Sequence, residues 1–148
     1  SSDLIEIYNE CNLKDSRVII QANLDLLQIL KAYDELKQLG HLEKSKHTIK
    51  AAQSLSKWLL ENERENSMIA LHQLNSLQIT KRQRAFTEDE INLLLQLSQN
   101  NSDMVRAGAF LLLGKIDVAQ FIIQQFSEDE KTRFMEFPIA IFIKGTNC

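Results

Sequence analysis

The sequence predicts an all-α fold, a bundle of about seven to eight helices arranged as antiparallel, helical-repeat-like hairpins. Glycine occurs four times and proline once in 148 residues, which is few for the turns of a strand-rich fold. Apolar residues recur at three- and four-residue spacing along most of the chain. Segments 87–90 and 127–130 both have the Ser/Thr-x-x-Glu pattern of a capping box, which opens a helix.

The N-terminal part, residues 3–82, predicts four helices that each carry their apolar residues on one face. Their approximate bounds are 3–10, 16–40, 42–62 and 68–81. Asp15 or Ser16 caps the second helix, and Gly40 lies where a residue in the left-handed conformation ends it. The polar segment 61–67 is either a loop or the exposed end of the third helix.

The C-terminal part, residues 87–138, predicts four shorter helices that are spaced like the elements of a solenoid. Their approximate bounds are 87–100, 102–114, 117–125 and 127–136. Gly114 separates two of them, which fold back on each other as a hairpin. Pro138 ends the last one, because the residue before a proline is pushed out of the helical region. We expect residues 139–143 to form an extended tail or a last helical turn.

The hairpin around Gly114 also carries a family pattern. Ala107 is a small residue in its first helix, Phe110 follows about one turn on, and Ala119 comes early in its second helix. This pattern resembles a tetratricopeptide-type helical repeat over about residues 102–138, in which small residues let paired helices approach closely. The resemblance implies a scaffold that binds a partner and has no catalytic residues.

The amino-acid sequence near the C-terminus is typical of part of a larger protein. Segments 111–115, 126–131 and 136–139 are similar in style to the ends of long bacterial proteins of the phage-defence or nuclease type. The chain also begins without Met. We therefore expect a single all-helical domain, residues 1–148, that is part of a longer bacterial protein.

Composition and charge exclude several classes of protein. Hydrophobic residues make up 44% and charged residues 25%, as in ordinary soluble domains. The net charge of -3 gives no bulk attraction to nucleic acid or to an anionic membrane. No signal peptide and no apolar run of about 20 residues is present, so we expect a cytoplasmic protein with no membrane partner. Cys11 and Cys148 form neither a disulfide framework nor a zinc motif.

Residues with catalytic or metal-binding chemistry are scattered. His41 and His47 lie six positions apart, on different helical faces, and His72 is remote, so the histidines do not match a zinc-binding helix. Cys11 has no local signature of a nucleophile. Most carboxylates lie in first turns, where they complement the helix dipole. We therefore predict no enzyme activity, no metal and no cofactor.

The predicted function is a non-catalytic protein-interaction or scaffolding domain. Four aromatic residues are the expected contacts with a protein partner or a neighbouring domain: Trp58, Phe110, Phe121 and Phe142. A second copy of the chain is an alternative partner. Trp58 lies on a helix that is apolar on more than one side, which favours a place in the core over a partner contact for this residue.

The sharpest charged feature is Lys81-Arg82-Gln83-Arg84, at the end of the fourth helix. As a functional site, Lys81, Arg82 and Arg84 would contact phosphate or an acidic partner, which makes a nucleic-acid-binding or regulatory domain the alternative function. The simpler interpretation is positive charge that complements a helix C-terminus and aids solubility. Nucleic acid is therefore the less favoured partner.

Overall fold

The structure, a computed structural model, describes residues 2–10 and 15–146, and these residues form the all-α fold that the sequence predicts. Nine helices and no strand lie within them: α1 (Ser2–Glu10), α2 (Ser16–Gln38), α3 (Leu42–Asn62), α4 (Asn66–Lys81), α5 (Glu88–Leu97), α6 (Asp103–Leu112), α7 (Ile116–Gln124), α8 (Glu128–Met135) and α9 (Pro138–Thr146). Across the described ranges, none of these helices combines the length and hydropathy that a bilayer span requires.

Helix starts follow the local sequence closely. Thr87 accepts a hydrogen bond from the backbone N–H of Glu90, and the Glu90 side chain accepts one from the backbone N–H of Thr87. Ser127 and Glu130 repeat this arrangement at α8. Both predicted capping boxes are confirmed. Asp15 caps α2 by accepting from the backbone N–H of Arg17.

Two helix ends depend on glycine. Gly40 and Gly114 have φ of 79° and 78°, in the left-handed region where a side chain is strained. Each glycine donates its N–H to a carbonyl in the last turn of the preceding helix, at 3.1 Å. The next residue, His41 or Lys115, donates to a carbonyl one residue earlier, at 2.9 Å. The predicted ends at Gly40 and Gly114 are confirmed.

The chain divides into two compact units, and the division falls within the sequence of α4. Unit 1 is Ser1–His72 and unit 2 is Gln73–Cys148. In unit 1, α2 packs along α3, and α1 packs on α3. The Trp58 indole of α3 donates to the amide oxygen of Asn9 at 2.8 Å. Within unit 1 this bond joins α1 to α3.

In unit 2, helix α6 is central, because it packs against α5, α7 and α9. Ala107 and Ala109 of α6 and Ala119 of α7 are fully buried, so both helices of the hairpin have small side chains in their buried surface. A Cβ on Gly108 would lie 2.6 Å from a methyl group of Leu74, which shows that the Leu74 side chain of α4 reaches the backbone of α6. The missing side chain permits that approach.

The structure also resolves the segments that the sequence left open. The polar segment contains a connection of three residues, because α3 ends at Asn62 and α4 begins at Asn66. Pro138 follows the end of α8, as predicted, but it also begins α9, a helix of nine residues rather than a tail or a single turn. Proline suits the first position of a helix, where its missing N–H is not needed. Cys11 and Cys148 lie outside the described residues, and the single domain over 1–148 stays a prediction.

Candidate functional site

The feature of unit 2 that most resembles a ligand-binding site is a cavity of about 600 Å³, which we call the α7–α9 groove. Helix α6 packs against both α7 and α9, and the groove opens between these two neighbours. Its apolar lining comes from one residue of α6, two of α7, one of α8 and two of α9: Leu111, Ile116, Ile123, Phe134, Ala140 and Ile143. Met135, which is half exposed, extends this lining towards solvent.

The polar lining of the α7–α9 groove is cationic or neutral. Gln120 and Gln124 come from α7, Lys131 from α8 and Lys144 from α9. Lys131 lies 3.5 Å from the carboxylate of Glu128, whose side chain is exposed. Among the residues that the structure describes, none that lines the groove is acidic. The groove therefore combines apolar walls with two ammonium groups.

Arg82, a predicted phosphate contact, is buried instead. Only 9% of the residue is exposed. Its Nη1 donates to the backbone and side-chain oxygens of Gln78, both at 3.0 Å, and its Nη2 donates to the carbonyl of Pro138 at 3.4 Å. Its guanidinium also lies over the ring of Phe142. These contacts attach the start of α9 to the end of α4, and the burial of Arg82 leaves little of its guanidinium accessible to a phosphate.

Lys81 and Arg84 are also engaged within the chain. The Lys81 ammonium lies 5.3 Å from the centre of the Phe86 ring. Arg84 makes a two-bond ion pair with Glu90, at 2.8 and 2.9 Å. The Arg84 guanidinium, together with the backbone N–H of Thr87, lowers the pKa of Glu90 from 4.5 to about 2. Lys81 and Arg84 nevertheless line one cavity of about 380 Å³ with Phe86 and Phe142.

The four predicted aromatic contacts lie in different environments. Trp58 belongs to unit 1 and is in its core, with 4% of the residue exposed. Phe110 and Phe142 are half-buried in unit 2. Phe121 of α7 is 65% exposed. The structure thus leaves only Phe121 with most of its ring in solvent.

Val118 lies one turn before Phe121 on α7 and is also exposed. Together they form what we call the α7 apolar face. The adjoining side of α7 is buried through Ala119, Ile122 and Ile123. The apolar surface of α7 is therefore wider than the part that its own unit covers.

Unit 1 contains a buried polar pair, His72 and Glu63, that no sequence pattern indicates. Nε2 of His72 lies 2.6 Å from Oε1 of Glu63, and both side chains are almost completely buried. Oε2 of Glu63 accepts from the backbone N–H groups of Arg64 and Glu65. Nδ1 of His72 is buried with no hydrogen-bond partner in the described residues. The nine-residue separation of the pair gives no periodic signal, which is why sequence reasoning missed it.

Comparison with other proteins does not assign the chain to a family. Within 2–10 and 15–146, no group of three or more His, Cys, Asp or Glu is placed to hold a metal ion. No protein-family model, no curated protein and no solved structure matched the chain.

Proposed function

We propose that this chain is a non-catalytic protein-interaction domain within a larger bacterial, cytoplasmic protein. The proposed contact is the α7 apolar face, which takes a helix of a protein partner. One observation carries the proposal: Phe121, a large aromatic residue, is 65% exposed on a well-packed helical hairpin. Aromatic anchors of this kind supply much of the binding energy at protein interfaces.

The geometry of α7 favours a helix as the occupant. Val118 and Phe121 are three residues apart and form a ridge of the kind that fits the groove of a second helix. The hairpin of α6 and α7 also supports the tetratricopeptide-like interpretation of residues 102–138. In such repeats a hairpin buries its outer face by stacking on the next one.

The contacts of the basic cluster favour this function over nucleic-acid binding. Arg82 is buried against Gln78 and Phe142, and Arg84 is paired with Glu90. Phosphate would have to compete with these partners. Among the four aromatic candidates Phe121 is the most exposed, because Trp58 is in the core and Phe110 and Phe142 are half-buried.

A photo-crosslinking experiment tests the proposal. Benzoylphenylalanine replaces Phe121 in the natural host, and the matched control carries it at Gln96, an exposed position of α5. We expect position 121 to capture one protein that position 96 does not capture. Mass spectrometry then identifies the protein and the crosslinked segment.

Binding of the captured protein is next measured with purified components. Phe121→Ser should weaken it by about 30-fold or more, since truncation of a central aromatic anchor costs about 2 kcal/mol or more. Phe121→Leu should retain most of the affinity. Equal capture from positions 121 and 96, or equal affinity for Phe121→Ser and the wild type, would contradict the proposal.

A further inference from the structure

The α7–α9 groove has the size of a small-molecule site. Its volume of about 600 Å³ lies within the range of roughly 300–1,000 Å³ that is usual for ligand pockets. Leu111 of α6 lies between the contributions of α7 and α9, so the groove extends to the central helix of unit 2. The groove does not include Phe121, and it is therefore separate from the α7 apolar face.

The walls of the groove favour an alkyl chain. Ile116 and Ile123 of α7 face it from one side, and Ala140 and Ile143 of α9 from the other. These four side chains offer no hydrogen-bond donor or acceptor. A ligand segment that enters between them therefore gains free energy mainly by leaving water, and a saturated hydrocarbon chain does so without a desolvation cost.

The two lysines favour a negative charge at the end of that chain. Lys144 has no hydrogen-bond or ion-pair partner in the described residues, so its ammonium is available to a ligand. Within residues 2–10 and 15–146 the Lys131 ammonium pairs only with the exposed carboxylate of Glu128, at 3.5 Å, and such surface ion pairs exchange at little cost. Gln120 and Gln124 add neutral amides that can donate to a carboxylate.

We infer that the α7–α9 groove binds an amphipathic carboxylate of the fatty-acid type. The alkyl chain lies along the apolar walls, and the carboxylate lies at the rim between Lys131 and Lys144. The ligand stays chemically unchanged. Phe121 does not line the groove, so a failure of the proposed protein contact would leave this inference untouched, and the reverse also holds.

Calorimetric titration of the whole chain tests this inference, with octanoate, decanoate and dodecanoate as probes, each below its micelle concentration. We expect one saturable site, and binding that tightens roughly fourfold for each added methylene until the chain fills the groove. Dodecylammonium, which has the same chain and the opposite charge, should bind at least tenfold more weakly than dodecanoate. Equal binding of the two would overturn the inference, since it would show adsorption to apolar surface without recognition of charge.

Two pairs of substitutions locate the site. Lys131→Gln with Lys144→Gln should weaken dodecanoate binding at least tenfold, whereas Lys115→Gln, at an exposed lysine outside the groove, should not change it. Gln120→Glu with Gln124→Glu should weaken dodecanoate and tighten dodecylammonium. A misfolded variant cannot produce this exchange of preference, because it would bind both probes poorly. An equal loss of affinity with Lys115→Gln, or an unchanged preference in the Glu variant, would overturn the inference.

Discussion

The guanidinium of Arg82 lies over the ring of Phe142, with 4.2 Å between its central carbon and the ring centre. The same guanidinium donates hydrogen bonds to Gln78 and to the carbonyl of Pro138. One side chain of the basic cluster thus connects the end of α4 to the beginning and the middle of α9. Its charge has a structural role in unit 2, and a planar, delocalised cation suits that role best.

Arg82→Lys tests this role. A lysine keeps the positive charge but loses the flat stacking surface and the fork of donors. We expect it to lower the free energy of unfolding by about 1–3 kcal/mol, because buried acceptors lose their donors. Urea unfolding followed by circular dichroism measures the change. Arg84→Lys, at an exposed ion pair, is the matched control and should change stability by less than about 1 kcal/mol. Equal effects of the two substitutions would contradict the structural role of Arg82.

Gly108→Ala should destabilise unit 2, although alanine is the better helix former. The added Cβ would lie 2.6 Å from a methyl group of Leu74 and 3.3 Å from one of Ile139. We expect a net loss of about 1–3 kcal/mol in unfolding free energy, since overpacking outweighs helix propensity. Gly145→Ala in α9 meets no atom within 4 Å and should be neutral or stabilise by up to about 1 kcal/mol. A Gly108→Ala protein of unchanged stability would show that the Leu74 side chain does not lie so close to the Gly108 backbone.

Glu63→Ala should destabilise unit 1. It removes the partner of the buried His72 imidazole and the acceptor of two backbone N–H groups. We expect a loss of about 1–3 kcal/mol, the cost of leaving such groups unsatisfied. Glu61→Ala, two residues earlier, removes only an exposed ion pair with Lys57 and should leave stability almost unchanged. Hydrogen exchange and chemical unfolding can both report the difference, and similar values for the two variants would exclude the role assigned to Glu63.

Glu90 should make part of the stability depend on acid pH. Its pKa is about 2 in the folded chain, against the usual 4.5, so the unfolded chain binds the proton more readily. The stabilisation is therefore complete above pH 4.5 and is lost as the pH falls towards 2. A carboxyl NMR titration gives the pKa directly, and Arg84→Ala should raise it. A wild-type Glu90 that titrates near its usual pKa would contradict this prediction.

A matched pair of variants measures how much Arg84 contributes to this pH dependence of stability. Glu90→Gln removes a capping-box carboxylate that is paired with Arg84, whereas Glu130→Gln removes one with no arginine contact in the described residues. We expect Glu90→Gln to reduce the loss of stability between pH 4.5 and 2 by more than Glu130→Gln does. Equal pH profiles of the two variants would show that the arginine adds nothing.

Local rules were sufficient for most helix boundaries. The capping box that begins at Thr87 depends only on residues within one helical turn, and so do the left-handed conformations of Gly40 and Gly114. Both features can therefore be recognised in the sequence. Pro138 was ambiguous, because the same residue ends one helix and suits the first position of another. The predicted end of α8 was therefore right, but the nine-residue helix α9 was predicted only as a tail or a single turn.

The candidate site was less predictable, because burial is decided by distant parts of the chain. Arg82 and Arg84 look alike in the sequence, yet Arg82 is enclosed by Phe142 and Pro138, 56 and more positions away, while Arg84 stays at the surface. Phe121 and Phe142 likewise differ only through their neighbours in space. Periodicity identifies apolar faces, but it does not tell which face a neighbouring helix covers.

The close approach of Leu74 to the bare backbone at Gly108 bears on how this polypeptide can be shortened. Residues 82–87 look like a natural place to cut, since the helical pattern pauses there. A truncation at that point would discard Leu74, whose methyl groups lie against the α6 backbone at Gly108, and would leave only the side chain of Ile139 at that place. A truncated chain that keeps unit 2 complete, including Leu74, therefore has to begin at position 73 or earlier.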